Sequence, residues 1–201
     1  MKSIETEPYL DAITAWPHNG RHILSQHDAE RIVVYQAYRP SIGHFAAEHG
    51  HFGGDFSYSR MSWIKPNFLW MMYRCGWATK EGQEVVLAVT LRRAGFDAIR
   101  AAAVASSFAA SGLATEAEWK RAGEQADVRL QWDPDHDPYG APTERRAIQL
   151  GLRGETLRRY GREWILAIED VTDFVREQHA HVRRCDLAAL RVPRERVLAS
   201  E

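Results

Sequence analysis

The chain is poor in cysteine, with only Cys75 and Cys185 among its 201 residues. Two distant thiols exclude a disulfide framework and a four-thiolate zinc site, and reduced, intracellular thiols are the simplest expectation. No apolar run approaches the roughly 18 residues that a membrane-spanning helix needs. The start, MKSIETEPYLDAI, lacks the apolar stretch of a signal peptide. A soluble, cytoplasmic protein is expected. A charge excess is missing too: 26 Lys and Arg against 27 Asp and Glu leave a formal net charge of −1. Nucleic acid cannot then be coated by bulk charge, and any basic groove must be local. Walker loop, GxGxxG, GxSxG and HExxH are all absent, which removes the familiar phosphate and hydrolase signatures. No repeat or low-complexity tract occurs. Nor is there a grouped Asp–Glu pair of the kind a glycosidase or metal nuclease displays.

What is present is aromatic. Seven Trp is a high count for this length, and polar-tipped aromatics mark pockets as well as cores. A hydrophobic content of 45% is enough for one full core without staples. The expected organisation is a polar leading arm over 1–20, a single domain over 21–185 and a tail over 186–201.

The β-branched and aromatic run from Arg31 to Tyr38 predicts a strand. Arg39-Pro40 stops it, and a helix with Ile42, Phe45 and Ala46 on one face ends at Gly50. A Gly- and aromatic-rich loop, 51–59, leads to a short strand over 60–64 and a helix opened by Pro66. Period-two alternation predicts a strand over 84–91, and Val128, Leu130 and Trp132 repeat the pattern. An alanine-rich helix is expected over 94–108, a second over 116–123 and a third over 154–162. The segment 133–143, with three Pro and three Asp, reads as a loop before a strand over 146–152. Residues 164–168 read as a short strand or helix extension, and Thr172 as the cap of a final helix. Strand–helix pairs followed by mixed strands indicate an α+β fold with a mixed, largely antiparallel sheet and flanking helices.

The densest stretch is RMSWIKPNFLWMMYRCGW, residues 60–77. Its apolar members should pack inward, leaving Arg60, Lys65 and Arg74 to face a shared cleft. Cations beside aromatic faces suit a nucleotide, because phosphates want charge and bases want a stacking plane. The competing account is an amphipathic core helix with solvated cations. In the strand before it, Gln36 points away from Tyr35, toward solvent or a cleft; buried, it would need partners at both ends of its amide.

Other clusters favour bland readings. His44, His49 and His51 are spaced off one helical face, so no metal is expected. Asp133, Asp135, Asp137 and Glu144 copy part of a calcium loop, but Pro138 stands where the turn needs glycine. The arginines at 145, 146, 153, 158, 159 and 162 form the main basic cluster, and the interleaved Glu144, Glu155 and Glu163 read it as salt-bridged surface.

The strings VVYQAYRP, RMSWIKPNFLWMMYRCGWATKEGQE, VRLQWDPDHD and RRAIQLGL resemble the bacterial domain-of-unknown-function 4291 family over roughly residues 20–180, in order. More distantly, residues 33–52 resemble the first block of ADP-ribosyltransferases: a strand ending in a polar residue, a short helix, then Gly-Phe. That resemblance implies an ADP-ribosyltransferase-like fold and NAD as substrate. It puts Gln36 in place of the usual His or Arg, Ser62 with Tyr58 nearby beside the nicotinamide, and Gln149 where a catalytic Glu is expected. Gln carries no negative charge, so stabilisation of a developing cation would be weaker.

The expected function is therefore an ADP-ribosyltransferase-like enzyme that binds NAD and transfers ADP-ribose to a macromolecular acceptor, nucleic acid among the candidates. Gln36, Gln149 and Ser62 would be catalytic. Gln36 and Tyr38 would hold the nicotinamide riboside, Tyr58 or Trp63 would stack, Arg60, Lys65 and Arg74 would take the pyrophosphate, and Tyr35 is counted among the cofactor-binding residues. The alternatives are a non-catalytic nucleotide- or nucleic-acid-binding module, with Arg158, Arg159 and Arg162 tracking phosphates, and a protein-interaction domain.

Overall fold

The computed structural model describes residues 4–198. The chain runs through β1 (Thr6–Pro8), α1 (Tyr9–Ala15), β2 (Gly20–Arg21), β3 (Leu24–Ser25), β4 (Arg31–Tyr38), α2 (Pro40–His49), β5 (Ser62–Ile64) and α3 (Phe68–Cys75). It continues with β6 (Val85–Arg92), α4 (Arg93–Ala101), β7 (Ala103–Ala105), α5 (Glu116–Gln125), β8 (Val128–His136) and β9 (Pro142–Leu152). It closes with α6 (Gly154–Arg159), a π-helical turn (Tyr160–Trp164), β10 (Ile165–Asp170), α7 (Thr172–Arg183), β11 (Arg191–Pro193) and β12 (Arg196–Val197). The fold is α+β, with mostly antiparallel strand pairing.

Two sheets carry the architecture. One has the order β10-β6-β4, all antiparallel. The other runs β2-β9-β8-β7, with β5 also on β9. The sheets are stitched where β5 leaves β9: Tyr35 N donates to Lys65 O at 2.7 Å, and Lys65 N returns to Tyr35 O at 3.2 Å. Strand β4 is buried on both faces. Ile32 and Val34 enter one core with Ile64, Leu87, Leu150 and Phe96; Val33 and Tyr35 enter another with Phe68, Met72, Val86 and Val175. A strand covered on both sides reads as a continuous apolar run, as VVYQAY nearly does.

Helix α3 is set by local signals at both ends. Asn67 caps it by accepting from Trp70 N at 2.7 Å, and Gly76 closes it in the left-handed region at φ 58°. Its N-terminus is also held from the far end of the chain. The buried Glu195 carboxyl accepts from Phe68 N at 2.7 Å and from Asn67 Nδ2 at 3.4 Å. Burial, with Asp135 nearby, holds this carboxyl well above the usual range.

The two ends, read from sequence as an arm and a tail, pair with each other. Strand β1 lies antiparallel to β11, and Trp16 Nε1 donates to Glu195 O at 3.1 Å. Tyr9, Ala12, Trp16, Leu190 and Val192 are all buried in the second core.

Three local expectations are corrected. The alanine-rich helix stops at Ala101 and the chain turns into β7, because Val128–Leu130 offers it a parallel strand partner and pairing outweighs propensity. The Pro- and Asp-rich segment is mostly strand: β8 runs through Pro134 to His136 and β9 starts at Pro142. Proline is tolerated because β7 covers β8 only as far as Leu130 and the register shifts between Pro134 and His136. Thr172 is not a cap; its Oγ1 donates to Asp170 at 2.5 Å and accepts from Val86 N at 2.9 Å. No described helix is long and apolar enough to cross a membrane.

Candidate functional site

The stitch between the sheets creates a cleft. Trp63 and Lys65 project from the same side of the segment that joins β5 to β4. Strand β9 places Gln149 and Gly151 on its matching side, opposite the core residues Ile148 and Leu150. Glycine at 151 permits a close approach: a Cβ there would stand 2.9 Å from Trp63 Cζ2 and 2.8 Å from Met61 Sδ. The indole therefore lies directly on the β9 backbone. Helix α3 closes the opposite wall with Met71 and Arg74. The resulting cavity, about 340 Å³, is lined by Gln36, Tyr38, Ser62, Trp63, Lys65, Arg74 and Gln149, with Ala37, Met61, Met71 and Gln83. A second cavity of about 340 Å³ adjoins it across Tyr38, Met61 and Ser62, with Arg39, Asp55 and Arg60 at its rim.

Gln36 is 2% exposed and its amide is fully engaged. Nε2 donates to Tyr38 OH at 2.7 Å, Ser62 Oγ at 2.9 Å and Trp63 O at 3.3 Å, while Oε1 accepts from Tyr160 OH at 2.5 Å. Tyr38 OH and Ser62 Oγ are themselves 2.5 Å apart. Burial raises the phenols of Tyr38 and Tyr160, so both stay neutral. Gln36 is thus the hub of a closed network under the cleft, and the hydroxyls of Tyr38 and Ser62 are its outward ends.

The cation side differs. Lys65 is 4% exposed, and among the described residues its ammonium makes no hydrogen bond or ion pair. Burial, and secondly the neighbouring Arg74, bring its pKa down to about 8, with Asp133 pulling weakly the other way. Arg74 is exposed at the rim.

The carboxylate of this region is one that sequence reading assigned to a solvated loop. Asp133, on β8, accepts from Gln149 Nε2 at 2.7 Å through Oδ2 and from Gln131 Nε2 at 2.7 Å through Oδ1. With its NH₂ group held by Asp133, Gln149 has its carbonyl oxygen left for the cleft. A signal for Asp133 did exist: Gln131 and Asp133 fill the polar positions of the alternation of Leu130 and Trp132, ahead of the first proline.

Three candidate residues lie outside this cavity. Tyr35 faces the second core against Phe68, ring centroids 5.4 Å apart, and its buried hydroxyl has no hydrogen-bond partner among the described residues. Tyr58 donates to Phe52 O at 3.1 Å and lies under the Arg162 guanidinium, 5.7 Å away. Arg60 belongs to the adjoining cavity.

The arginine cluster is largely occupied. Arg145 is buried on Asp135 at 2.6 Å, Arg153 donates to Glu124 O at 2.6 Å, and Arg158 and Arg159 pair with Glu155 and Glu163. The three histidines do not converge: His44 is 3.9 Å from Asp170 and His49 stacks on Phe45. Among the described residues no group of three or more His, Cys, Asp or Glu is placed to hold a metal.

Fold and site together define an α+β protein with a polar, cation-bearing cleft at a seam between two sheets. By sequence, the chain belongs to the family described as Domain of unknown function (DUF4291), which matches residues 22–198. That span includes every cleft residue and Glu195. No curated protein matches the chain.

Proposed function

We propose that the cleft binds NAD and that the protein is an ADP-ribosyltransferase-like enzyme passing ADP-ribose to a macromolecular acceptor, nucleic acid among the candidates. One observation carries this reading: Gln149, backed by the Asp133 carboxylate, faces the same cavity as Trp63, Lys65 and Arg74. The two cations suit a pyrophosphate. The indole face offers a stacking plane for nicotinamide. In the transfer step the bond between nicotinamide nitrogen and the anomeric carbon breaks, nicotinamide leaves with the electron pair, positive charge builds on the ribose, and the acceptor's nucleophile bonds to that carbon and gives up its proton to solvent. With the Gln149 amide nitrogen donating to Asp133, the carbonyl oxygen presents a fixed negative end toward that charge, and the carboxylate behind it adds to the field. Tyr38 and Ser62, locked by Gln36, supply preorganised hydroxyls for the ribose. The two adjoining cavities together give room for both halves of a dinucleotide.

The experiment is NAD turnover by purified protein. Nicotinamide release, with an NAD-induced rise in melting temperature, is expected. The absence of both nicotinamide release and a thermal shift would retire the reading.

A further inference from the structure

Lys65 is a buried cation for which the protein provides no counter-ion. Its main chain is tied to Tyr35 by two hydrogen bonds, 2.7 and 3.2 Å, so the side chain starts from inside the fold. Its surroundings offer the ammonium little. From α3, Arg74 repels it and the buried Cys75 thiol stays neutral because burial raises its pKa. From β8, Asp133 is the acid that acts on it, but both oxygens of that carboxylate already accept from glutamine amides at 2.7 Å. The other polar walls, Gln36, Gln83 and Gln149, are uncharged. Leaving an ammonium in such a place is costly unless an anion arrives to pair with it.

We infer that the anion is the ligand's own: a phosphate or pyrophosphate group seats between Lys65 and Arg74, and Lys65 takes up a proton as that group binds. The inference shares with the proposed function the idea that the cleft receives a phosphoester, and it is independent of the transfer chemistry. Burial, and secondly Arg74, bring the pKa of the amine down to about 8. A bound anion offsets the shift, because its charge favours the ammonium, and returns the group toward the ordinary lysine range. Binding at pH 8 then takes up about half a proton, and affinity weakens about tenfold between pH 7 and pH 9. Lysine suits this role where arginine would not, since arginine does not deprotonate in this range.

The probe is ADP-ribose, whose pyrophosphate diester does not titrate between pH 7 and 9, with sulfate as a simple anion of the same kind. Calorimetric titrations in buffers of different ionisation heat count the protons. Uptake near half a proton at pH 8, with tenfold weaker binding at pH 9 than at pH 7, is the expected result. Lys65→Arg should still bind and lose both effects. Arg74→Gln, at the exposed rim, should weaken binding and move the pH dependence upward, because the repelling neighbour is gone; it tests the idea even if the core variant fails to fold. Binding without proton uptake, a pH dependence that persists in Lys65→Arg, or no binding of either probe would overturn the inference. Proton-linked ADP-ribose binding without nicotinamide release from NAD leaves the anchor standing and retires the transferase reading; release without proton uptake does the reverse.

Discussion

Gln149 Nε2 donates to Asp133 Oδ2 at 2.7 Å, diagonally across the β8–β9 ladder. The pair converts a neutral amide at the cleft wall into one with a fixed orientation and a carboxylate behind it. Asp133→Asn removes the charge and leaves nothing to fix the Gln149 amide in one orientation, while changing the side-chain volume little. NAD turnover, followed as nicotinamide release, should fall about 10²- to 10³-fold, the usual loss for one preorganised electrostatic group. ADP-ribose affinity should change little, and unchanged turnover would remove Asp133 from the mechanism.

Gln36 makes its whole amide available to the protein, so its replacement is first a stability experiment. Gln36→Leu leaves the buried Tyr160 hydroxyl without its acceptor at 2.5 Å and releases Tyr38 and Ser62. A cost of about 2–4 kcal/mol is expected in urea denaturation, from one orphaned buried hydroxyl plus a broken network. A loss of turnover with full stability would instead mean that Gln36 meets the ligand.

Gly151→Ala tests the floor of the cleft. The new Cβ would stand 2.9 Å from Trp63 Cζ2, and the indole has open space only on the cleft side. ADP-ribose binding should weaken at least fivefold, with a shift in tryptophan emission. Stability should drop by no more than about 1–2 kcal/mol, because the obstructing groups are side chains near an opening.

Glu195 predicts a pH dependence of folding. Its pKa in the folded state is raised by burial above the unfolded value. The folded protein therefore holds a proton that the unfolded chain has lost, and stability is fully present below the unfolded pKa and declines as pH rises through the folded one. Burial lifts the neighbouring Asp135 in the same direction, against Arg145. Glu195→Gln keeps a carbonyl oxygen for Phe68 N and has nothing to ionise. Its melting temperature should match the natural protein near pH 4 and exceed it at pH 8; a lower value at both would show that the carboxyl is needed as such.

Much was legible in the sequence because it was local. The strand of Arg31–Tyr38 follows from β-branched and aromatic residues, α3 from the proline ahead of it and the glycine after it, and β6 from strict alternation. Lys65, Arg74 and Trp63 stood out as residue types that a core does not require, and Gln149 only through the ADP-ribosyltransferase resemblance. The boundary of α4 and the extent of β8 were not legible, because alanine and proline report the chain's own preferences and a neighbouring strand overrode them.

The amino-acid sequence by itself determined the α+β class, most helices and the longer strands, the family and the stretch that bears the cations. Only the tertiary structure decided that Gln36 is spent inside a network, that Asp133 stands behind Gln149, that Tyr35 faces away, and that Glu195 comes from the far end of the chain to hold α3. Each of these depends on which strand lies beside which. Pairing is a contact between distant residues, and no local periodicity encodes the partner.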